Sequence, residues 1–185
     1  MCQRLSYAFV LILLTLSACV TVPAPTQNAR LGLKLAPAAL GQVISLQQHL
    51  KVERHGRIDE LDAALEVDAD HLEMIGLAFG QRVLSLQYDG KEFKTWRHAL
   101  LPAQVRAEDV LEDLQLTMWP IESIAQSLPV GWKIEDDGLR RTLYLDDIAV
   151  LKIEYSGFPR WSGTVKLENL RYKYNLTIQS VAAGS

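Results

Sequence analysis

From Val43 onward the chain alternates with a period of two. Ile44, Leu46, Leu50 and Val52 fall on one side, against Ser45, Gln47, His49, Lys51 and Glu53 on the other. Leu61, Ala63, Leu65 and Val67 alternate with Asp62, Glu66 and Asp68 in the same way. Leu72 to Ala78 form a more uniformly apolar run, and Leu84, Leu86 and Tyr88 alternate again. Gly56, Ala69-Asp70 and Asp89-Gly90 punctuate these runs as turns, and Lys91 to Arg97 return as a further strand. Such alternation predicts an antiparallel sheet with one dry face and one wet face.

The period then changes. Glu108 and Asp109 precede Val110, Leu111 and Leu114 at helical spacing, with the acids in the first turn where the helix dipole favours them. Pro120 opens a second helical stripe of Ile121, Ile124, Ala125 and Leu128, which Pro129 and Gly131 end. Strands resume at Trp132–Glu135, Leu139–Leu145, Ile148–Tyr155, Gly163–Asn169 and Leu170–Ser180. The expected fold is mainly β (α+β): a curled antiparallel half-barrel of roughly ten strands covered by a short helical pair. Sheets of that width curl, and the helical pair is the natural cover for the concave face.

The first residues follow another logic. Arg4, an apolar run from Tyr7 to Leu16 and the small residues Ser17-Ala18 before Cys19 make a secretory signal over residues 1–18. The run is too short to span a bilayer as a helix, which needs about 20 residues. Thr21 to about Asn28, with Pro23 and Pro25, reads as a tether, and Leu31, Leu33, Leu35 and Ala38–Leu40 are expected to dock on the domain. The predicted organisation is therefore a signal (1–18), a lipid-anchored N-terminal tether (19–42) and a sheet domain (43–185).

The 185 residues are 49% hydrophobic and 22% charged, with a net charge of −3. That composition suits a single globular domain and excludes a disordered chain or a multi-pass membrane protein. A sequence-independent nucleic-acid binder would need a positive excess, so no nucleic-acid partner is expected. The only cysteines, Cys2 and Cys19, make no disulfide framework.

Leu16-Ser17-Ala18-Cys19 resembles a bacterial lipobox. That resemblance implies acylation of Cys19 as the first mature residue. Each buried acyl methylene is worth about 0.8 kcal/mol, so several chains would hold the protein at a membrane durably. Val20 rather than Asp follows the cysteine, which favours an outer-membrane, periplasm-facing address. The lipobox, the curled sheet and the mid-chain helical pair together resemble the LolA/LolB-like carrier superfamily. Gly76-Leu77-Ala78-Phe79-Gly80 is similar to that superfamily's Gly-flanked loop with a protruding apolar residue, and Trp119-Pro120-Ile121 through Leu128-Pro129 and Gly131-Trp132 to its helical segment. More narrowly, the chain resembles a LolB-like outer-membrane lipoprotein family associated with aryl polyene and fatty-acid-type biosynthesis clusters. The resemblance implies binding of an acyl chain or lipoprotein client, with a periplasmic carrier as a possible partner.

Two readings stay open for each candidate site. Leu84, Leu86, Trp96, Met118, Trp119, Trp132, Tyr144, Ile153 and Tyr172 are candidates to line a ligand cavity between sheet and helices; the alternative is a packed core, and with it a non-catalytic periplasmic scaffold that binds a protein partner. Leu77 and Phe79 are either a membrane- or client-engaging loop or ordinary strand residues. Asp68/Asp70, Asp136/Asp137 and Asp146/Asp147 sit where turns are expected and read as turn formers rather than as a calcium loop or an acid–base pair. The histidines have no zinc-site spacing, and no nucleophile elbow, phosphate loop or dinucleotide fingerprint occurs. No metal, no cofactor and no enzymatic activity are expected.

Overall fold

A computed structural model describes residues 30–184. The predicted signal, Cys19 and the first part of the tether lie outside the described residues. Five strands come first: β1 (Ile44–Arg54), β2 (Arg57–Val67), β3 (Leu72–Ala78), β4 (Gln81–Tyr88) and β5 (Phe93–Arg97). Two helices follow, α1 (Ala107–Met118) and α2 (Ile121–Ser127). The chain then adds β6 (Trp132–Asp136), β7 (Arg140–Leu145), β8 (Ile148–Tyr155), β9 (Gly163–Asn169) and β10 (Tyr174–Ala182). All ten strands join one antiparallel sheet in the order β5-β4-β3-β2-β1-β10-β9-β8-β7-β6.

That order decides where the helices go. Every strand pairs with its neighbour in sequence except at the centre, where β1 pairs with β10. The first half of the chain meanders outward from the centre to the β5 edge, and the second half starts at the β6 edge and meanders back. The link between the two edges must therefore cross the whole sheet. Ten strands spaced at about 4.8 Å make a sheet some 45 Å wide along its curve, and α1 and α2 lie in that crossing. The two edges do not pair with each other, so the barrel stays open.

The inner face supplies the core. Leu46 and Leu50 of β1, Leu65 of β2, Leu72 and Met74 of β3, Leu86 of β4, Ile153 of β8 and Leu167 of β9 pack in one cluster with Leu111, Leu116, Trp119 and Ile124 of the helical segment. Burial of β1 alternates strictly from Ile44 to Leu50, as the period-two pattern requires.

Residues 30–40 form a strap on α1. Gly32 N donates to Glu112 Oε2 at 2.6 Å. Leu35 N donates to Gln115 Oε1 at 3.0 Å, and Gln115 Nε2 donates back to Leu35 O at 2.8 Å. Trp119 Nε1 donates to Ala36 O at 3.2 Å. Positions 112, 115 and 119 share one helix face, so a single stripe of α1 holds the strap. Leu33, Leu35 and Leu40 bury their side chains in the core below it.

The end of α1 is held from the sheet. Its last turn carries no basic residue, yet its terminal carbonyls need donors. Arg141 Nη1 donates to Leu116 O at 2.9 Å, and Tyr155 Oη donates to Thr117 O at 2.8 Å. Arg141 is only 2% exposed, and its charge is balanced by Asp136, its cross-strand neighbour, at 2.8 Å.

The start of the last strand differs most from the sequence expectation. Leu170–Lys173 form a turn rather than the start of the last strand, with Asn169 Oδ1 accepting Tyr172 N–H at 2.8 Å and Lys173 at φ 54°. An Asn that bonds the backbone three residues on builds a turn that apolar alternation alone does not reveal.

Candidate functional site

The inner face is covered unevenly. From Leu114 to Trp119 every residue is buried, whereas in the first half of α1 buried positions alternate with the exposed Glu108 and the half-buried Val110 and Asp113. Under that first half of α1 lies a cavity of about 590 Å³. Its floor is β1, β2 and β10, with Met74 and Leu84 at one side.

Register lays out the floor in rows. Leu61, Leu50 and Ile178 stand side by side; the next row outward is Asp59, Val52 and Leu176; the outermost is Arg57, Arg54 and Tyr174. One row inward from Leu50, the row is Ala63, Gln48 and Ser180. The cavity thus runs from a polar inner stop, through an apolar middle, to a charged mouth. Gln48 Nε2 donates to Ser180 Oγ at 2.9 Å, and both side chains are buried, so the inner stop is internally satisfied. The tight turn His55-Gly56, with φ of 50° and 77°, ends the β1–β2 hairpin and fixes Arg54 opposite Arg57.

The roof contributes Arg106, Asp109, Val110, Asp113 and Leu114, and the strap contributes Arg30. Arg30 Nη2 pairs with Asp109 at 2.9 Å, and its guanidinium lies 3.8 Å from the Tyr172 ring centre. Tyr174 Oη donates to Asp113 Oδ2 at 2.6 Å while Asn169 Nδ2 donates to Tyr174 Oη at 3.2 Å. Burial pushes the Asp113 carboxyl up to about 7, against the pull of the Tyr174 hydrogen bond; the neighbouring Glu112 adds to the rise. Burial likewise raises Asp109, opposed by Arg30, and raises the Tyr174 phenol. The roof therefore presents carboxyl groups that resist ionisation near the cavity, and the floor's outermost row presents fixed positive charge.

Of the nine residues expected to line a cavity, Leu84 and Tyr172 line this one. Leu86, Met118, Trp119 and Ile153 lie instead in the packed core. Trp96 stands on the outer face of the β5 edge, 41% exposed and beneath Arg82, because its parity on β5 matches Ser85 rather than Leu84 and Leu86. Tyr144 lies beside Lys133 across the β6–β7 pair, and Trp132 is half-buried near Arg171. At the β3–β4 turn Phe79 is fully exposed with φ 52°, while Leu77 is half-buried on β3, next to an irregularity in the β3–β4 register. Cys19 falls outside the described residues. The lining the sequence reading passed over is largely the inner parity of β1, β2 and β10: Leu50, Val52, Leu61, Leu176 and Ile178. Their alternation was visible; that the first and last strands meet in the middle of the sheet was not.

Asp68 accepts from Asp70 N and His71 N at 2.7 and 2.8 Å, and Asp89 from Lys91 N and Glu92 N at 2.8 and 2.6 Å, as turn-forming aspartates do. Among the described residues no group of three or more His, Cys, Asp or Glu could hold a metal ion.

An open antiparallel sheet, roofed by the helical crossing of its own chain and hollow beneath one half of that roof, defines a cavity-bearing half-barrel protein. The chain belongs to the family described as a protein of unknown function, DUF3261, whose model matches residues 45–182. Among solved structures it is similar to a DUF1329 family protein from Desulfovibrio piger ATCC 29098, at 11% identity and a TM-score of 0.37, over 78% of this chain and 87% of that one. No curated protein matches it.

Proposed function

We propose that this chain is a non-catalytic lipoprotein that binds acyl chains, of a lipid or of a lipoprotein client, in the cavity beneath α1 and assists their transfer or localisation. In this proposal acylated Cys19 holds the domain at the outer membrane, facing the periplasm, where a carrier delivers the client. The proposal extends the LolB-like resemblance, and its association with aryl polyene and fatty-acid-type biosynthesis clusters, from shape to role.

One observation carries it: about 590 Å³ of space opens against Leu50, Val52, Leu61, Leu176 and Ile178, where a packed core would have placed side chains. A chain leaving water for such a surface gains about 25 cal/mol for each Å² of apolar area it hides. Transfer then needs no chemistry. The chain passes between apolar sites, and their relative affinities set the direction.

The test is extraction of the full chain carrying Cys19→Ser, purified without detergent, followed by mass spectrometry of the organic phase and titration with a fluorescent fatty acid. Co-purified acyl species, or saturable uptake, support the carrier. A clean extract together with no uptake would leave only a scaffold.

A further inference from the structure

We infer that the ligand is an anionic amphiphile, whose acyl chain lies along the floor of the cavity and whose carboxylate or phosphate is held at the mouth by Arg54 and Arg57. This inference rests on the acyl-binding reading and adds the chemistry of the headgroup.

The two arginines are direct cross-strand partners, both on the inner face of the β1–β2 hairpin. Like charges placed opposite one another on antiparallel strands repel. Such a pair is ordinarily relieved by a carboxylate, and two of the mouth's other cations have one: Arg30 pairs with Asp109 at 2.9 Å and Arg106 with Glu108 at 3.5 Å. Among the described residues neither Arg54 nor Arg57 forms an ion pair or a side-chain hydrogen bond. Arg54 packs its guanidinium 4.8 Å from the Tyr174 ring centre, and its Nε is buried without a hydrogen-bond acceptor. A buried guanidinium donor without an acceptor is costly, and an oxyanion at the mouth would satisfy it.

Geometry matches the inference along the chain direction. The apolar row of Leu61, Leu50 and Ile178 lies four residues inward of the arginine row, or about 13 Å at strand rise. A linear amphiphile can therefore place its tail on Leu50 and Ile178 and its head between the two guanidinium groups. Arginine suits the task because its planar fork grips a carboxylate or a phosphate through parallel hydrogen bonds. The carboxylates that face the same space are Asp59, Asp109 and Asp113. Asp109 is paired with Arg30 and Asp113 accepts from Tyr174, so Asp59 alone competes for the clamp.

The experiment uses the full chain carrying Cys19→Ser, so that no acyl group of its own enters the cavity. N-phenylnaphthylamine, a neutral fluorescent probe, is bound and then displaced at low salt and mildly alkaline pH. The competitors are hexadecanoate, hexadecyl phosphate, hexadecanol and inorganic phosphate. Either acid should displace the probe about tenfold or more better than the alcohol, as charge-assisted hydrogen bonds from two arginines require. In Arg54→Gln with Arg57→Gln that advantage should shrink to about threefold or less, while hexadecanol affinity stays put and certifies the fold. Hexadecanol binding as tightly as the acids to the wild-type chain would overturn the clamp and leave acyl binding standing. Inorganic phosphate competing as well as hexadecyl phosphate would overturn the placement of a tail in the floor. If no long-chain compound displaces the probe, acyl binding itself fails, and the clamp with it.

Discussion

The substitution Asp136→Asn tests how the roof is held to the sheet. Asp136 is 10% exposed in its side chain, and it accepts from Arg141 Nε at 2.8 Å, from Arg160 Nη1 and Nη2 at 2.5 Å each and from Gly138 N at 2.9 Å. Burial works against its ionised form, but the hydrogen bonds from Arg160 and then Arg141 more than offset this, and the carboxyl is held down at about 2 against an ordinary 3.8. A carboxyl that ionises more readily when folded stabilises the fold above its unfolded pKa and loses that contribution as the pH falls towards its folded one. A shift of that size corresponds to roughly 2–3 kcal/mol at neutral pH, of which about half should be gone near pH 3. Removing the charge does more than forfeit this term, because Arg141 is 2% exposed and would stay buried without its counter-ion. Breaking a buried pair from one side typically costs about 3–5 kcal/mol. Urea denaturation of wild type and Asp136→Asn should therefore give a gap of about 3 kcal/mol or more at pH 7 that narrows by about 1 kcal/mol towards pH 3. A gap below about 1 kcal/mol at neutral pH, or one indifferent to pH, would refute the role assigned to this carboxylate.

Three further substitutions probe the cavity and its cover. Burial raises Asp113 to about 7, so the folded state prefers the neutral acid and stability falls as pH rises from about 4 through 7; Asp113→Asn should be the more stable protein at pH 8, with an advantage that shrinks steadily below about pH 7 and is gone only below about pH 4, as read by thermal melts. Leu176→Trp, at a half-buried position in the apolar floor, should abolish fatty-acid uptake while moving stability by no more than about 1 kcal/mol, because the added volume enters existing space. Gln115→Leu keeps the volume of a fully buried side chain but orphans Leu35 N–H and C=O, which should cost about 2–5 kcal/mol and speed amide exchange in residues 30–40 well before β1 and β10.

The parts of this fold that repeat locally were legible and the parts that depend on chain-distant meetings were not. Alternation located the strands, and the shift to helical spacing at Glu108 and Pro120 located the roof, since both periods arise from backbone geometry within a few residues. Aromatic residues misled: Trp119 is fully buried in the core and Trp96 lies on the outer face of an edge strand, because size alone does not say which face of a strand or which end of a roof a ring occupies. Arg141 shows why polar core residues escape such reading. On its own strand it breaks the apolar alternation, and its purpose appears only when Leu116 O and Asp136 arrive from two other elements. The cavity mouth is a similar case, since Arg54 and Arg57 look like a solvated hairpin end until β10 and α1 close around them.

Topology and strap together explain why the hollow lies where it does. The helical crossing is anchored at its far end, where Arg141 and Tyr155 take the carbonyls of Leu116 and Thr117 and where every residue from Leu114 to Trp119 is buried. Its near end meets the sheet only at the rim of the gap, where Tyr174 Oη donates to Asp113 Oδ2 at 2.6 Å and Ala107 and Val110 pack with Val83 and Leu84; between these contacts Asp109 and Asp113 face the gap, and a desolvated carboxyl gains nothing by descending onto Leu50 or Ile178. The strap adds a lateral hold along the whole helix, bonding Asp109, Glu112, Gln115 and Trp119 along one stripe through Arg30, Gly32, Leu35 and Ala36. A helix packed closely at one end and propped at the other by a rim of contacts leaves space beneath its near half, and the apolar floor of that space is supplied by β1 and β10, the two strands that topology places at the centre of the sheet.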